Sequence, residues 1–230
     1  MKPPVLIVLH QEHSTPGRVG LRLAERGHRL DIRRPRFGDP LPPTLEAHAG
    51  AIVFGGPMSA NDDEDFVRRE IDWLDVPLKE NAPLLGICLG AQMLARHLGA
   101  AVGVRPDGLV EIGYYPLQAT AAGSALIDWP GTVYQWHREG FALPAGAALL
   151  ASGDLFANQA FRYGANAFAF QFHIELTLLM MNRWTTRGAE RFNLPGAQGR
   201  RQHFDGRALY DGESTRFLDR FLDLWLALPR

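Results

Sequence analysis

Leu84-Leu85-Gly86-Ile87-Cys88-Leu89-Gly90-Ala91-Gln92-Met93-Leu94-Ala95 carries the only cysteine of the chain. An apolar run of strand type enters Cys88, and Ala91, Leu94, Ala95 and Leu98 follow it at helical spacing. Glycines stand two residues before it and two after. The pattern predicts a strand, a tight turn bearing a reactive side chain, and a helix, which together make a nucleophile elbow. At such a turn a bulky neighbour collides with the adjoining backbone, so Gly86 and Gly90 relieve the crowding. The free N–H groups that open the helix face the sulfur, and their partial positive charge favours a thiolate. A buried structural cysteine is the plain alternative.

Outward from the elbow, further apolar runs at 5–9, 51–54, 83–87 and 167–172 suit strands covered on both faces, as in a parallel sheet. Helical stripes lie between and after them, with Val67, Ile71, Leu74 and Leu78 on one face and Phe217, Phe221 and Trp225 on another. Residues 111–120, 132–136 and 156–163 read as additional strands, antiparallel ones among them because their connections are short. The expected fold class is α/β, a three-layer sandwich with a mostly parallel central sheet. Residues 187–212, rich in Gly, Arg and polar side chains, read as an irregular excursion before a C-terminal helix over 214–228.

Composition limits the rest. The chain has 230 residues, 46% of them hydrophobic, and a formal charge of −1, enough for one substantial core. A single domain over 1–230 is expected. Near-neutral charge speaks against a nucleic-acid or membrane-surface protein, and Arg33-Arg34-Pro35-Arg36 reads as a solvated loop. One cysteine excludes an internal disulfide and fits a reducing compartment. The N-terminal apolar run is too short for a signal peptide and no later run reaches membrane-spanning length, so a cytoplasmic location is expected. Lys2 and Lys79 are the only lysines and neither sits in a Walker A loop; Gly55-Gly56-Pro57 lacks the dinucleotide spacing. No cofactor is expected. His10-Gln11-Glu12-His13 has metal-like spacing without a third ligand nearby, and no metal is expected either.

In open α/β sheets reactive groups gather at the carboxyl ends of strands. Phe170-Gln171-Phe172-His173-Ile174-Glu175 ends such a run, and residues separated by one in extended chain project to the same side. His173 and Glu175 can therefore pair, the carboxylate orienting an imidazole that serves as base toward Cys88. A core histidine beside a capping glutamate is the alternative. Ile52-Val53-Phe54-Gly55-Gly56-Pro57 also follows an apolar strand, and an N–H of this loop can join that of Leu89 in an oxyanion hole.

Gly-Gly-Pro after a strand, Gly-x-Cys-x-Gly-x-Gln at 86–92 and Gln-Phe-His-x-Glu at 171–175 resemble, in this order, the class I glutamine amidotransferases. The likeness is strongest to the glutaminase portion of GMP synthase and its stand-alone relatives. Glu111-Ile112-Gly113 and Gln135-Trp136-His137 resemble segments of the same group, and the likeness spans about residues 4–180. It implies a flavodoxin-like sheet and a Cys88-His173-Glu175 triad acting on the side-chain amide of glutamine or a γ-glutamyl compound. It further implies an oxyanion hole at Gly56 and Leu89, and a substrate amino-acid end held by Gln92 and the backbone of Gly55, Gly56, Arg138 and Glu139. Two departures stand out: Ile174 replaces a frequent proline, and Arg138-Glu139-Gly140 replaces a small residue followed by aspartate. His137 is set aside as the base.

No synthetase module accompanies these motifs, so released ammonia is expected to pass to a separate acceptor protein. A γ-glutamyl peptidase on the same fold is the first rival. A dienelactone-hydrolase-like esterase is a second, disfavoured because its acid precedes the histidine by many residues. A non-catalytic subunit is the third.

Overall fold

The structure, a computed structural model, describes residues 2–229. Its main sheet has eight strands: β1 (Val5–Val8), β2 (Leu30–Arg33), β3 (Gly50–Val53), β4 (Leu84–Ile87), β7 (Gln118–Ala119), β10 (Ala148–Ser152), β11 (Ala160–Tyr163) and β12 (Ala167–Phe170). Two ribbons accompany it, β5 (Val102–Val104) with β9 (Glu139–Phe141) and β6 (Glu111–Pro116) with β8 (Thr132–His137). The helices are α1 (Gly17–Glu25), α2 (Asp65–Trp73), α3 (Asp75–Lys79), α4 (Leu89–His97), α5 (Ala121–Ser124), α6 (Leu178–Arg187) and α7 (Arg200–Leu226).

The sheet order is β2-β1-β3-β4-β12-β11-β10-β7. Pairing is parallel from β2 to β12 and antiparallel beyond it. Helices cover both faces, which is why β1, β3, β4 and β12 are buried along their whole length. Alternate residues of one strand feed opposite cores. Val5 and Ile7 pack with Val19 and Leu23 of α1 and Phe221 and Trp225 of α7, whereas Leu6 and Val8 pack with Val67 of α2 and Leu94 of α4. The expected three-layer α/β architecture is therefore the observed one.

Where the sequence reads as an irregular stretch over 187–212, the chain instead makes a short 3-10 turn, Ala189–Asn193, and then a long helix that already begins at Arg200. The glycines that suggested irregularity serve packing. Gly206 lies against the Tyr114 ring, where a Cβ would come within 2.5 Å of Cδ2. Gly199 sits just before the first turn, its N–H donating to Gln202 Oε1 at 2.8 Å. Arg207 pairs with Asp211 one turn on, at 3.0 Å. Among the described residues no helix is long and apolar enough to cross a membrane.

Candidate functional site

Strand β4 delivers Cys88 directly to the first turn of α4, and the cysteine pays for that position in backbone strain: its φ is +52°, a value shared by only one other non-glycine residue, Asn81, among the described residues. Crowding at the elbow is tight. A Cβ on Gly86 would lie 2.5 Å from the Gly90 carbonyl oxygen, and one on Gly90 would lie 2.1 Å from that of Val53. The turn is fixed by Cys88 N–H donating to Phe170 O at 2.7 Å and Gln92 N–H donating to Cys88 O at 3.0 Å.

The chain beyond β12 brings the second element. His173 Nδ1–H donates to Glu175 Oε1 at 2.7 Å, with both side chains buried. The backbone is held by His173 N–H donating to Tyr134 O at 2.9 Å and by Arg18 N–H, at the start of α1, donating to Glu175 O at 2.8 Å. Trp184 of α6 meets the imidazole edge-on with ring centres 4.8 Å apart. His173 Nε2 has no hydrogen-bond partner in the protein, and it faces the side of the site where Cys88 stands. A Cβ at Gly55 would be 3.1 Å from His173 Cε1, 3.4 Å from Cys88 Cβ and 3.9 Å from Cys88 Sγ, so the glycine keeps open the gap between the two. Burial pushes the His173 imidazole down, but the Glu175 carboxylate and the Cys88 sulfur outweigh it and raise the group to about 10.

Gly56 lies between the two residues expected to flank it, and a Cβ there would meet Leu89 Cδ2 at 2.9 Å and His10 Cβ at 3.0 Å. The glycine loop is backed by a buried pair that sequence reasoning missed. His10 Nδ1–H donates to the Gly55 carbonyl at 3.1 Å, and His10 Nε2 lies 2.7 Å from Glu70 Oε2 of α2. A histidine placed directly after an apolar strand was the available signal. His10 is thus committed to the loop and its sequence neighbour His13 is exposed, so the two do not converge; no group of three or more metal-ligating side chains occurs among the described residues.

Cys88, His173, Glu175, Gly55 and Gly56 line one cavity of about 510 Å³. Gln92, Arg138 and Glu139 do not. The Gln92 amide is taken up by Glu139 O at 2.8 Å and Gln171 Oε1 at 3.2 Å, Glu139 Oε1 accepts from Ser59 Oγ at 3.0 Å, and Arg138 is exposed. These residues build a polar layer beside the site rather than its wall. His137-Arg138-Glu139 has the same spacing as His173-Ile174-Glu175, so spacing alone does not separate them. Geometry does: His137 Nδ1–H donates to Glu139 O and Nε2 lies 3.0 Å from Glu111 Oε2, which leaves neither nitrogen for the cavity.

A family model for class I glutamine amidotransferases matches residues 19–183. The glutamine amidotransferase-like protein YfeJ of Salmonella typhimurium is 31% identical over 184 residues, covering 76% of this chain and 76% of that protein. GMP synthase of Porphyromonas gingivalis is 33% identical over 141 residues, which are 59% of this chain but 26% of the synthase. Among solved structures, a glutamine amidotransferase from Methylobacillus flagellatus superposes with a TM-score of 0.90 at 27% identity, covering 99% of this chain and 96% of that one. Elbow, paired His and Glu, sheet order and sequence likeness agree, and the chain belongs to the class I glutamine amidotransferase family.

Proposed function

We propose that the chain is a cysteine-dependent glutaminase that hydrolyses the side-chain amide of glutamine and releases ammonia. The observation that carries this reading is the placement of a strained, elbow-borne Cys88 across the Gly55 gap from a buried His173–Glu175 pair. Cys88 attacks the amide carbon, and the negative charge that develops on oxygen is held by the N–H groups of Gly56 and Leu89. His173, held cationic by Glu175 and the sulfur, gives its proton to the departing ammonia. It then takes a proton from water as that water attacks the γ-glutamyl thioester, which releases glutamate and restores the cysteine. Glu175 touches no reacting atom; it fixes the tautomer and tilt of the imidazole.

The same chemistry serves other γ-glutamyl amides. The ammonia is passed to a separate acceptor protein, a reading supported by the likeness to GMP synthase, whose length this chain matches only in part. The test is ammonia release by Cys88→Ser beside labelling with a glutamine-like chloroketone. The serine variant should lose turnover while keeping its fold, and the label should map to Cys88. Near-normal ammonia release by the variant contradicts the proposal.

A further inference from the structure

Four arginines line the cavity that holds Cys88 and His173: Arg36, from the turn after β2, and Arg183, Arg187 and Arg191, from α6 and the 3-10 turn behind it. Two exposed carboxylates share the rim, but each has a neighbour of its own. Glu12 lies 3.9 Å from His13 Nε2 and Glu190 lies 3.9 Å from Arg191 Nε. Arg183 donates to the His13 carbonyl at 2.9 Å, Arg36 lies over the Phe66 ring, and neither they nor Arg187 form an ion pair among the described residues. Fixed guanidinium charge without a carboxylate partner thus converges on one cavity mouth.

Glutamine does not call for that surplus, because the ammonium of its amino-acid end balances the carboxylate. A wall with excess positive charge matches a substrate that is a net anion. Position tells which part of the substrate carries the extra charge. The leaving nitrogen must lie beside His173, which protonates it. Trp184 packs edge-on against His173 at 4.8 Å between ring centres, and Arg183 and Arg187 flank Trp184 on one helical face, four residues apart. Arg191 continues the wall across Gly188, where a Cβ would sit 3.7 Å from Arg191 Cδ and 2.9 Å from the Trp136 ring. The arginines therefore adjoin the leaving-group side of the reacting carbon.

We infer that this site takes γ-glutamyl amides whose leaving amine bears a carboxylate, namely γ-glutamyl amino acids and short peptides, with Arg187 and its neighbours on α6 binding that carboxylate. The inference rests on the cysteine-amide reading above. In the step, the Cys88 sulfur forms a bond to the γ-carbon as the C–N bond breaks, and the His173 proton goes to the departing amino group. Water then cleaves the thioester, so the products are glutamate and a free amino acid with no net redox change.

The experiment compares kcat/KM for γ-glutamylglycine, γ-glutamylglycinamide and glutamine in the wild-type chain, Arg187→Ala and Arg187→Lys. The first two substrates differ only in the charge of the leaving group. The wild type should prefer γ-glutamylglycine by about 10- to 100-fold, the range of a charge-assisted hydrogen bond, and added salt should shrink the preference. Arg187→Ala should lower that ratio and Arg187→Lys should restore part of it. No preference in a wild type that does turn over glutamine overturns the inference alone. Equal losses on all three substrates also overturn it, since the arginine would then bind the glutamyl carboxylate they share. Turnover of none of the three, with Cys88 unlabelled by the chloroketone, overturns the cysteine-amide reading and the inference with it.

Discussion

Replacing Glu175 with Gln keeps the shape of the side chain and removes its charge, and the consequence can be worked from the geometry. The 2.7 Å contact to His173 is a charge-assisted hydrogen bond between side chains that are 4% and 3% exposed. Such a bond contributes about 1.5–3 kcal/mol, and one pKa unit corresponds to about 1.4 kcal/mol. Burial, which disfavours the imidazolium, then faces the Cys88 sulfur alone, so His173 should fall by roughly one to two units from its value of about 10. In kcat/KM for ammonia release, the same energy amounts to a loss of about 10- to 150-fold at neutral pH. The assay is the full pH profile of ammonia release for both proteins. Activity should decline on the alkaline side as the imidazolium loses its proton, and in Glu175→Gln that decline should begin at lower pH. An alkaline limb that coincides in the two proteins would refute the role given to Glu175.

Stability should carry the same signature: a histidine raised from 6.5 to about 10 stabilises the fold in full below about 6.5 and loses that contribution as pH climbs to about 10, so the gap in urea stability between wild type and Glu175→Gln should narrow over that window. A gap independent of pH would contradict the shift. Gly90→Ala places a Cβ 2.1 Å from the Val53 carbonyl oxygen and should destabilise the chain by about 2–3 kcal/mol in urea unfolding; a change within about 0.5 kcal/mol would show that the elbow is looser than described. Glu70→Ala strands the buried His10 behind Gly55 and should cost about 3–5 kcal/mol, with kcat reduced in the fraction that stays folded; normal stability would remove His10–Glu70 as the support of the glycine loop. Ammonia release from glutamine by the purified chain should be slow and should rise when an acceptor protein recovered by pull-down is added, since docking can select the loop conformer whose Gly56 N–H faces the cavity; indifference to every recovered partner speaks for a free-standing hydrolase.

The parts of the fold that were legible in the sequence are those whose pattern is set by burial on two faces. Val5–Val8, Leu84–Ile87 and Ala167–Phe170 read as strands because nothing polar is tolerated there. Strand β2, only half-buried at the sheet edge, and the short ribbon β5–β9 have no such run and were not legible. The helix over 200–214 was hidden because Gly206 answers to a neighbouring ring, a contact no local pattern reveals. At the site, Cys88, His173 and Glu175 were readable from local spacing, since a turn and a strand end decide where they point. Gln92 was misplaced because its amide is captured by Glu139 and Gln171, residues distant in the chain. Trp184, His10 and the arginines of α6 belong to the cavity only through tertiary packing.

The central claim is that Cys88 is acylated by the γ-carboxyl group of its substrate. Rapid acid quenching of the chain during turnover of glutamine, followed by peptide mass analysis, tests it directly. The account predicts a γ-glutamyl adduct on the peptide containing Cys88, removed by hydroxylamine and absent from Cys88→Ser. Ammonia release at the wild-type rate by Cys88→Ser, or an adduct on any other residue, would contradict it.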